Sequence, residues 1–188
     1  MKYSKVTDQD SRIIREQLGR EPKGVLGIAE RCRYGYPTVL VTKPLIIHSE
    51  ENYEVFPTLY WLSCPRRNKK LAEIEATGYI ERLEGELNSN EKLRSKYKKE
   101  EQNYLRSQQK LLSEEEQNFV DNHQLNQSLN RGIGGIQNSK HIKCLHLHVA
   151  HNLVTENCIG KMIMDRFDLE DCPKEDVICE KFLNEEGS

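Results

Sequence analysis

Three β-type runs, residues 25–32, 38–47 and 56–62, stand together near the front of the chain, and the longer periodic segments after Cys64 are of helical type. This order constrains the fold more than any other feature. Strands that follow one another in a block pair as a small sheet and leave the helices to cover it, which is the α+β arrangement. Arg33-Tyr34-Gly35-Tyr36-Pro37 reads as a hairpin connection between the first two runs, so that pair is expected to be antiparallel. The aromatic run Phe56-Pro57-Thr58-Leu59-Tyr60-Trp61-Leu62 supplies a third strand. The expectation is an α+β fold with a small antiparallel sheet of about three strands packed by several helices.

The helices announce themselves by caps and spacing. Asp10 or Ser11 can cap a short helix carrying Ile13, Ile14 and Leu18, ended by Gly19. Beyond Cys64-Pro65, the residues Leu71, Ile74, Ile80 and Leu83 keep a helical period, with Gly78 as a kink or break. Residues 90–112 are heavily charged, with Leu93, Tyr97, Tyr104, Leu105, Leu111 and Leu112 as a narrow apolar stripe. Ser113 to Glu116 can open a further helix through a capping box. Residues 90–112 are therefore expected as a largely exposed helix lying on the domain or projecting from it, within a charged helical segment 90–128, a helical arm that could hold a protein partner, and residues 168–188 as an acidic tail.

A chain of 188 residues suits one domain, 1–188, since it is long enough for one ordinary core. Lys plus Arg at 28 nearly balances Asp plus Glu at 30, which gives no field suited to a nucleic-acid backbone. No apolar run approaches bilayer length and no signal-peptide segment opens the chain, so a cytoplasmic protein without a membrane role is expected. In that compartment the six cysteines, at 32, 64, 144, 158, 172 and 179, are expected as thiols or metal ligands and not as disulfides.

Chemistry concentrates in Lys143-Cys144-Leu145-His146-Leu147-His148-Val149-Ala150-His151. Helical spacing of Ile142, Leu145, Val149, Ala150 and Leu153 predicts a helix over 142–154. Cys144, His148 and His151 are then expected on the face opposite that apolar stripe, and His146 toward it. Cysteine and neutral histidine suit zinc or iron. Gly132, Gly134 and Gly135, followed by Lys140 and Lys143, resemble an anion-binding loop in outline and are the candidate cofactor-binding residues. Pro65 suits the first position of a helix, which puts Cys64 at its N-cap, where the helix dipole with Arg66 and Arg67 would favour a thiolate. Cys32 also ends a strand. Cys172-Pro173 and Cys179 are spaced too widely for the usual two-cysteine arm of a zinc site.

With these residues laid out, the chain resembles the bacterial family catalogued as domain of unknown function five hundred and one. The resemblance rests on Leu18-Gly19-Arg20 with Pro22 and Gly24, Arg31-Cys32 with Tyr34-Gly35 and Pro37, and the 56–62 run leading into Cys64-Pro65. It continues through Glu75-Ala76-Thr77-Gly78, Tyr97, Tyr104, the Gly132 to Ile136 loop, and Lys143-Cys144-Leu145-His146 with Val149 and His151. It spans about residues 8–165 and implies a cytosolic bacterial protein without an established activity. It also ranks Cys32, Cys64, Cys144, His146 and His151 ahead of His148, and it argues against Cys158 as a ligand.

Three functional expectations follow. The first is a metal-binding protein with ligands drawn from Cys32, Cys64, Cys144, His146 and His151, occupied by zinc in preference to an iron-sulfur cluster. The second is a thiol-dependent hydrolase or transferase with Cys64 as nucleophile, His151 or His146 as base, and the Gly134-Gly135 backbone nearby as an oxyanion or phosphate cradle. The third is a non-catalytic interaction module using the charged helices.

Overall fold

The computed structural model describes residues 2–184. Val25–Arg31 (β1) pairs antiparallel with Pro37–Thr42 (β2), and β2 pairs antiparallel with Tyr60–Leu62 (β5), in the order β1-β2-β5. The β1–β2 connection is a tight turn. Gly35 adopts φ 83°, a left-handed conformation open to glycine, and returns its N–H to the Cys32 carbonyl at 2.9 Å. β2 is buried along its whole length, as a central strand covered on both faces must be.

The expected run 38–47 is cut in two. Pro44 has no N–H to give to a ladder, and its carbonyl takes the N–H of Phe56 at 2.9 Å instead. Leu45–Ile47 (β3) consequently leaves the sheet and pairs with Tyr53–Val55 (β4) in a two-stranded ribbon. The expected strand 56–62 shortens to its last three residues for a related reason. Its first half bonds to a helix: Tyr104 Oη accepts the Leu59 N–H at 2.6 Å and donates to the Pro57 carbonyl at 3.1 Å, and Gln108 Nε2 donates to the Phe56 carbonyl at 2.9 Å.

Among the helices, Asp8–Leu18 (α1) starts earlier than expected, because Thr7 and Asp10 form a reciprocal capping box, and it ends at Gly19 with φ 65°. Pro65–Glu75 (α2) has Cys64 as N-cap and Pro65 at the first position. Gly78, at φ 73°, separates it from Tyr79–Ser89 (α3). Glu91–Gln109 (α4) is capped by the Asn90 side chain, and Glu114–Asn122 (α5) by the expected Ser113–Glu116 box. Asn126–Leu129 (α6) and a 3-10 turn at Ile133–Gly135 lead to Leu145–Val154 (α7). Asn157 caps Cys158–Arg166 (α8), and Ile178–Asn184 (α9) follows.

The charged helix α4 is no projecting arm. Tyr97, Glu100, Tyr104 and Gln108 are buried along one side, against the 56–59 segment, α8 and the 3-10 turn, while the remaining charged positions stay at the surface. α7 is the element around which the others assemble. It packs on β5 and α8 and also meets β1, β2, α2 and the 3-10 turn. The main core accordingly joins Val39, Val41 and Leu62 of the sheet to Leu145 and Val149 of α7 and Ile159 and Ile163 of α8. Burying a side chain of this size stabilises by about 1.5–3 kcal/mol.

Candidate metal centre and cleft

Glu75 is the last residue of α2, Cys144 is the N-cap of α7, and His146 lies in the first turn of α7. The Glu75 carboxylate joins the two helices. Its Oε1 accepts the otherwise unpaired Leu145 N–H at 2.5 Å and faces His146 Nδ1 at 3.0 Å. His146 Nε2 faces the Asn68 carbonyl at 3.2 Å. A carbonyl can only accept, so Nε2 carries a hydrogen, and Nδ1 is the nitrogen turned toward the carboxylate. One donor atom from each of Glu75, Cys144 and His146 lies within 4.8 Å of the other two, and all three residues are half-buried. Nδ1 and a carboxylate oxygen 3.0 Å apart need a cation between them, which can be a proton or a metal ion. As a proton site, the imidazole is held protonated up to about 9 by its hydrogen bond to Cys144, by attraction to Glu75 and by the Asn68 carbonyl, against the opposing effect of burial.

Cys144 and His146 line a cleft of about 480 Å³ with Arg20, Thr42, Phe56, Thr58, Trp61 and Asn68. The Arg20 guanidinium sits over the Trp61 ring, 5.1 Å from its centroid. Lys23 also borders the cleft and is paired with Glu54 at 2.9 Å. The cleft thus offers aromatic and cationic side chains and a corner formed by Cys144 and His146, with Glu75 behind them.

The faces of α7 are reversed from the sequence expectation. His148 and His151 are buried at 0% and 2% exposure, and His146 is the histidine that reaches the cleft. The physical reason is that α7 has neighbours on nearly every side, so its polar stripe faces other elements and not water. His151 Nδ1 accepts from Asn157 Nδ2 at 3.0 Å, and the ring stacks on Tyr60 with centroids 5.5 Å apart. Burial, with His148 adding to it, pushes His151 down to about 3, and it is neutral at physiological pH.

Cys64 occupies the helix start expected of it, but its thiol moves opposite to the expected direction. Burial pushes it up and outweighs the opposing influence of the Arg66 and Arg67 backbone and the Arg67 charge, so the helix start does not make it a ready thiolate. Cys64 is 8% exposed and lies in electrostatic reach of Cys172, and no hydrogen bond joins it to His151 among the described residues. Of the expected metal set Cys32, Cys64, Cys144, His146 and His151, the fold brings together Cys144 and His146. Cys32 and Cys64 stand at another end of the sheet.

The Gly132, Gly134, Gly135 loop serves the chain's own groups. The half-buried Glu101 carboxylate is turned toward the Ile133 N–H, and a Cβ at Gly132 would collide with it. Lys143 Nζ donates to the Gly134 carbonyl at 3.1 Å. A Cβ at Gly134 would meet Leu147 and Lys143, and one at Gly135 would meet Pro57. Close packing therefore explains all three glycines, Gly132 against the Glu101 carboxylate and the other two against the Leu147, Lys143 and Pro57 side chains.

Residues 28–165 match the sequence profile of the family described as "Protein of unknown function (DUF501)". The chain belongs to that family. The matched segment of this DUF501 protein contains Cys32, Cys64, Glu75, Cys144 and His146 and ends before Cys172 and Cys179. No curated protein and no solved structure matches the chain. Glu75 is the site residue that sequence reasoning passed over as a site. It stands among thirty acidic residues at the end of a different helix, and its signal was its place in the Glu75-Ala76-Thr77-Gly78 motif.

Proposed function

We propose that this DUF501 protein binds a divalent metal ion, zinc or iron, between Glu75, Cys144 and His146, and uses the adjoining cleft to bring a small anionic ligand to it. The observation that carries this reading is the division of labour on His146. Nε2 is committed to the Asn68 carbonyl, the outer hydrogen bond that metal-ligating histidines ordinarily make, and Nδ1 is left facing a carboxylate oxygen at 3.0 Å beside a thiol. Three protein donors of mixed type on the wall of an open cleft fit a centre whose fourth position takes water or substrate. Bound there, the metal would supply Lewis-acid polarisation and activated water. Arg20, fixed over Trp61, would receive the anionic part of the ligand and Phe56 its apolar part.

The test is elemental analysis of the purified full chain and of Cys144→Ser and His146→Ala. Each variant is expected to lose about one equivalent of metal while keeping its fold, because removal of one of three ligands leaves too little of the shell. Unchanged metal content in both variants would overturn the reading.

A second reading has its own support. Cys144 stands at the amino end of α7 beside a histidine hydrogen-bonded to it, the setting in which a thiol becomes a nucleophile. Thiol chemistry at Cys144, with His146 as acid and base and Glu75 orienting it, replaces the Cys64–His151 pair as the enzymatic alternative. Rapid alkylation of Cys144 in metal-free protein, slowed by His146→Ala, would favour it.

A further inference from the structure

Four of the six cysteines, far apart along the chain, are carried by segments that are fastened together at one end of the sheet. Cys32 opens the β1–β2 turn, Cys64 caps α2 at the end of β5, Cys172 lies in the segment after α8, and Cys179 lies in α9. A single carboxylate fastens three of their neighbourhoods. Asp171, next to Cys172, accepts the backbone N–H of Arg33 at 2.8 Å and pairs with the Arg67 guanidinium at 2.9 Å, so the residue after Cys32 and the residue three beyond Cys64 share one anchor. Tyr34 Oη donates to the Cys172 carbonyl at 3.0 Å, and Arg67 Nε to the Leu169 carbonyl at 2.8 Å.

The fourth cysteine is tied to the same end of the sheet. Gln17 Nε2 contacts Cys179 Sγ at 3.3 Å and the Pro37 carbonyl at 2.8 Å, and that carbonyl also accepts from Ser63 Oγ at 3.3 Å, one residue before Cys64. Cys64, Cys32 and Cys172 all stand in electrostatic reach of Cys179, in keeping with the shared anchors that tie the four to this end of the sheet.

We propose that Cys32, Cys64, Cys172 and Cys179 form a second metal site, a four-thiolate zinc centre that fastens the C-terminal segment to the end of the sheet. Four sulfur donors without a fourth-position opening are the donor set of a structural zinc site. The surroundings suit it. The first amides of α2, at Arg66 and Arg67, favour the charged form of the Cys64 sulfur, and the Arg67 guanidinium, held by Asp171, adds its positive charge nearby.

Among the described residues, Glu75, Cys144 and His146 are the one trio with donors all within 4.8 Å, so the quartet must draw in. Zinc–sulfur bonds of about 2.3 Å put the sulfurs of a tetrahedral site roughly 3.8 Å apart. The half-exposed Cys32, on a turn, and Cys172, in an irregular segment, have the freedom to swing toward the buried Cys64 and Cys179. The wide Cys172–Cys179 spacing, which departs from the usual zinc arm, is bridged here by the start of α9.

The site is independent of the Glu75–Cys144–His146 reading and is tested separately from it. The full chain is purified under reducing conditions, given zinc and alkylated with iodoacetamide with and without a chelator, and each cysteine is scored by mass spectrometry. Cys32 and Cys172, which are solvent-accessible, are expected to be protected by zinc together with Cys64 and Cys179 and released together by the chelator. In Cys172→Ser, zinc should fall by about one equivalent and Cys32 protection should disappear, with Cys144 labelling unchanged. Alkylation of Cys32 and Cys172 at the same rate with zinc as without it would overturn the proposal, and so would zinc content unaltered by Cys172→Ser. Recovery of any two of the four as a disulfide that zinc and reductant do not displace would also overturn it. Loss of protection at Cys144 alone bears on the cleft and not on this site.

Discussion

Replacing His148 by Leu should make the protein resist acid. His148 is fully buried, and both ring nitrogens lack a hydrogen-bond partner. Its polar neighbour Asn157 is already committed, donating to His151 Nδ1 and accepting from the Gly160 N–H at 2.7 Å. Burial pushes His148 from 6.5 down to about 4, and the nearby Asn157 amide opposes it only weakly, since by geometry it bonds to neither His148 nitrogen. The sign follows directly. Above pH 6.5 the ring is neutral in both states and contributes nothing to the pH slope. Below 6.5 the unfolded chain takes up a proton that the folded chain refuses, so stability falls until the folded ring protonates near pH 4. The two values give a loss of about 2 kcal/mol at pH 5 and about 3 kcal/mol once pH is well below 4.

Leucine has a similar volume and no proton to take up. At pH 7 it should leave stability unchanged or raise it by up to about 1–3 kcal/mol, since a buried group without partners is removed. Urea titrations at pH 7 and pH 5 measure the effect. The variant's advantage should widen by about 2 kcal/mol between the two pH values. Curves that stay parallel would refute the claim that His148 is neutral and unpartnered in the fold. His151, pushed down to about 3, loses stability over the same acidic range in both proteins and cancels in the difference only to the extent that it does not couple to His148. His146 acts at the other end. Its raised value means that its contribution is complete below pH 6.5 and is lost as pH rises through about 9, which centres maximal stability between the two effects.

Tyr104→Phe should cost about 1–3 kcal/mol, because it orphans the buried Leu59 N–H, and a cost under 0.5 kcal/mol in chemical denaturation would show that water replaces the hydroxyl. Gly132→Ala should destabilise by roughly 1–3 kcal/mol through collision with Glu101, whereas Gly85→Ala, an exposed helical position with open space around it, should stabilise by about 0.5–1 kcal/mol. Thermal melts of the two variants should therefore move in opposite directions, and a shared direction would contradict the packing described for the glycine loop.

The strand block was legible because β-type runs and turn residues are local signals. The errors arose where a distant residue competed for the backbone. Nothing near residues 56–59 says that Tyr104 and Gln108 will take their hydrogen bonds, so the third strand reads as longer than it is. Helix caps were legible at Ser113 and Gly19 for the same local reason, and the first cap was displaced to Thr7 because the reciprocal bond with Asp10 outweighs a single-residue cap. The histidine faces of α7 were misread because a helical wheel assumes water on the polar side, whereas α8 and α4 place Tyr97, Glu100 and Asn157 in this region.

The same competition explains why the cleft corner could be read only in part. The helices after residue 140 begin with backbone N–H groups that need acceptors, and carboxylates from earlier helices supply them. Glu84 takes the Ile142 N–H at 2.8 Å, Glu75 the Leu145 N–H, and Glu100 the Cys158 N–H at 2.7 Å. Glu75 and Glu100 are long-range caps of α7 and α8, while Glu84 holds the extended segment leading into α7; each is worth about 1.5–3 kcal/mol as a charge-assisted bond, and none is visible in the local sequence pattern. Glu75 differs from the other two in what else it faces. Glu100 is sealed in the interior, and Glu84 pairs with the exposed His141 at 3.4 Å. Glu75 meets His146 and Cys144, which line the cleft, so the carboxylate that starts α7 also joins the Glu/Cys/His cluster. Docking α7 and assembling that cluster are one event, because the residue that satisfies the helix end is also the residue that brings the carboxylate to the cysteine and the histidine.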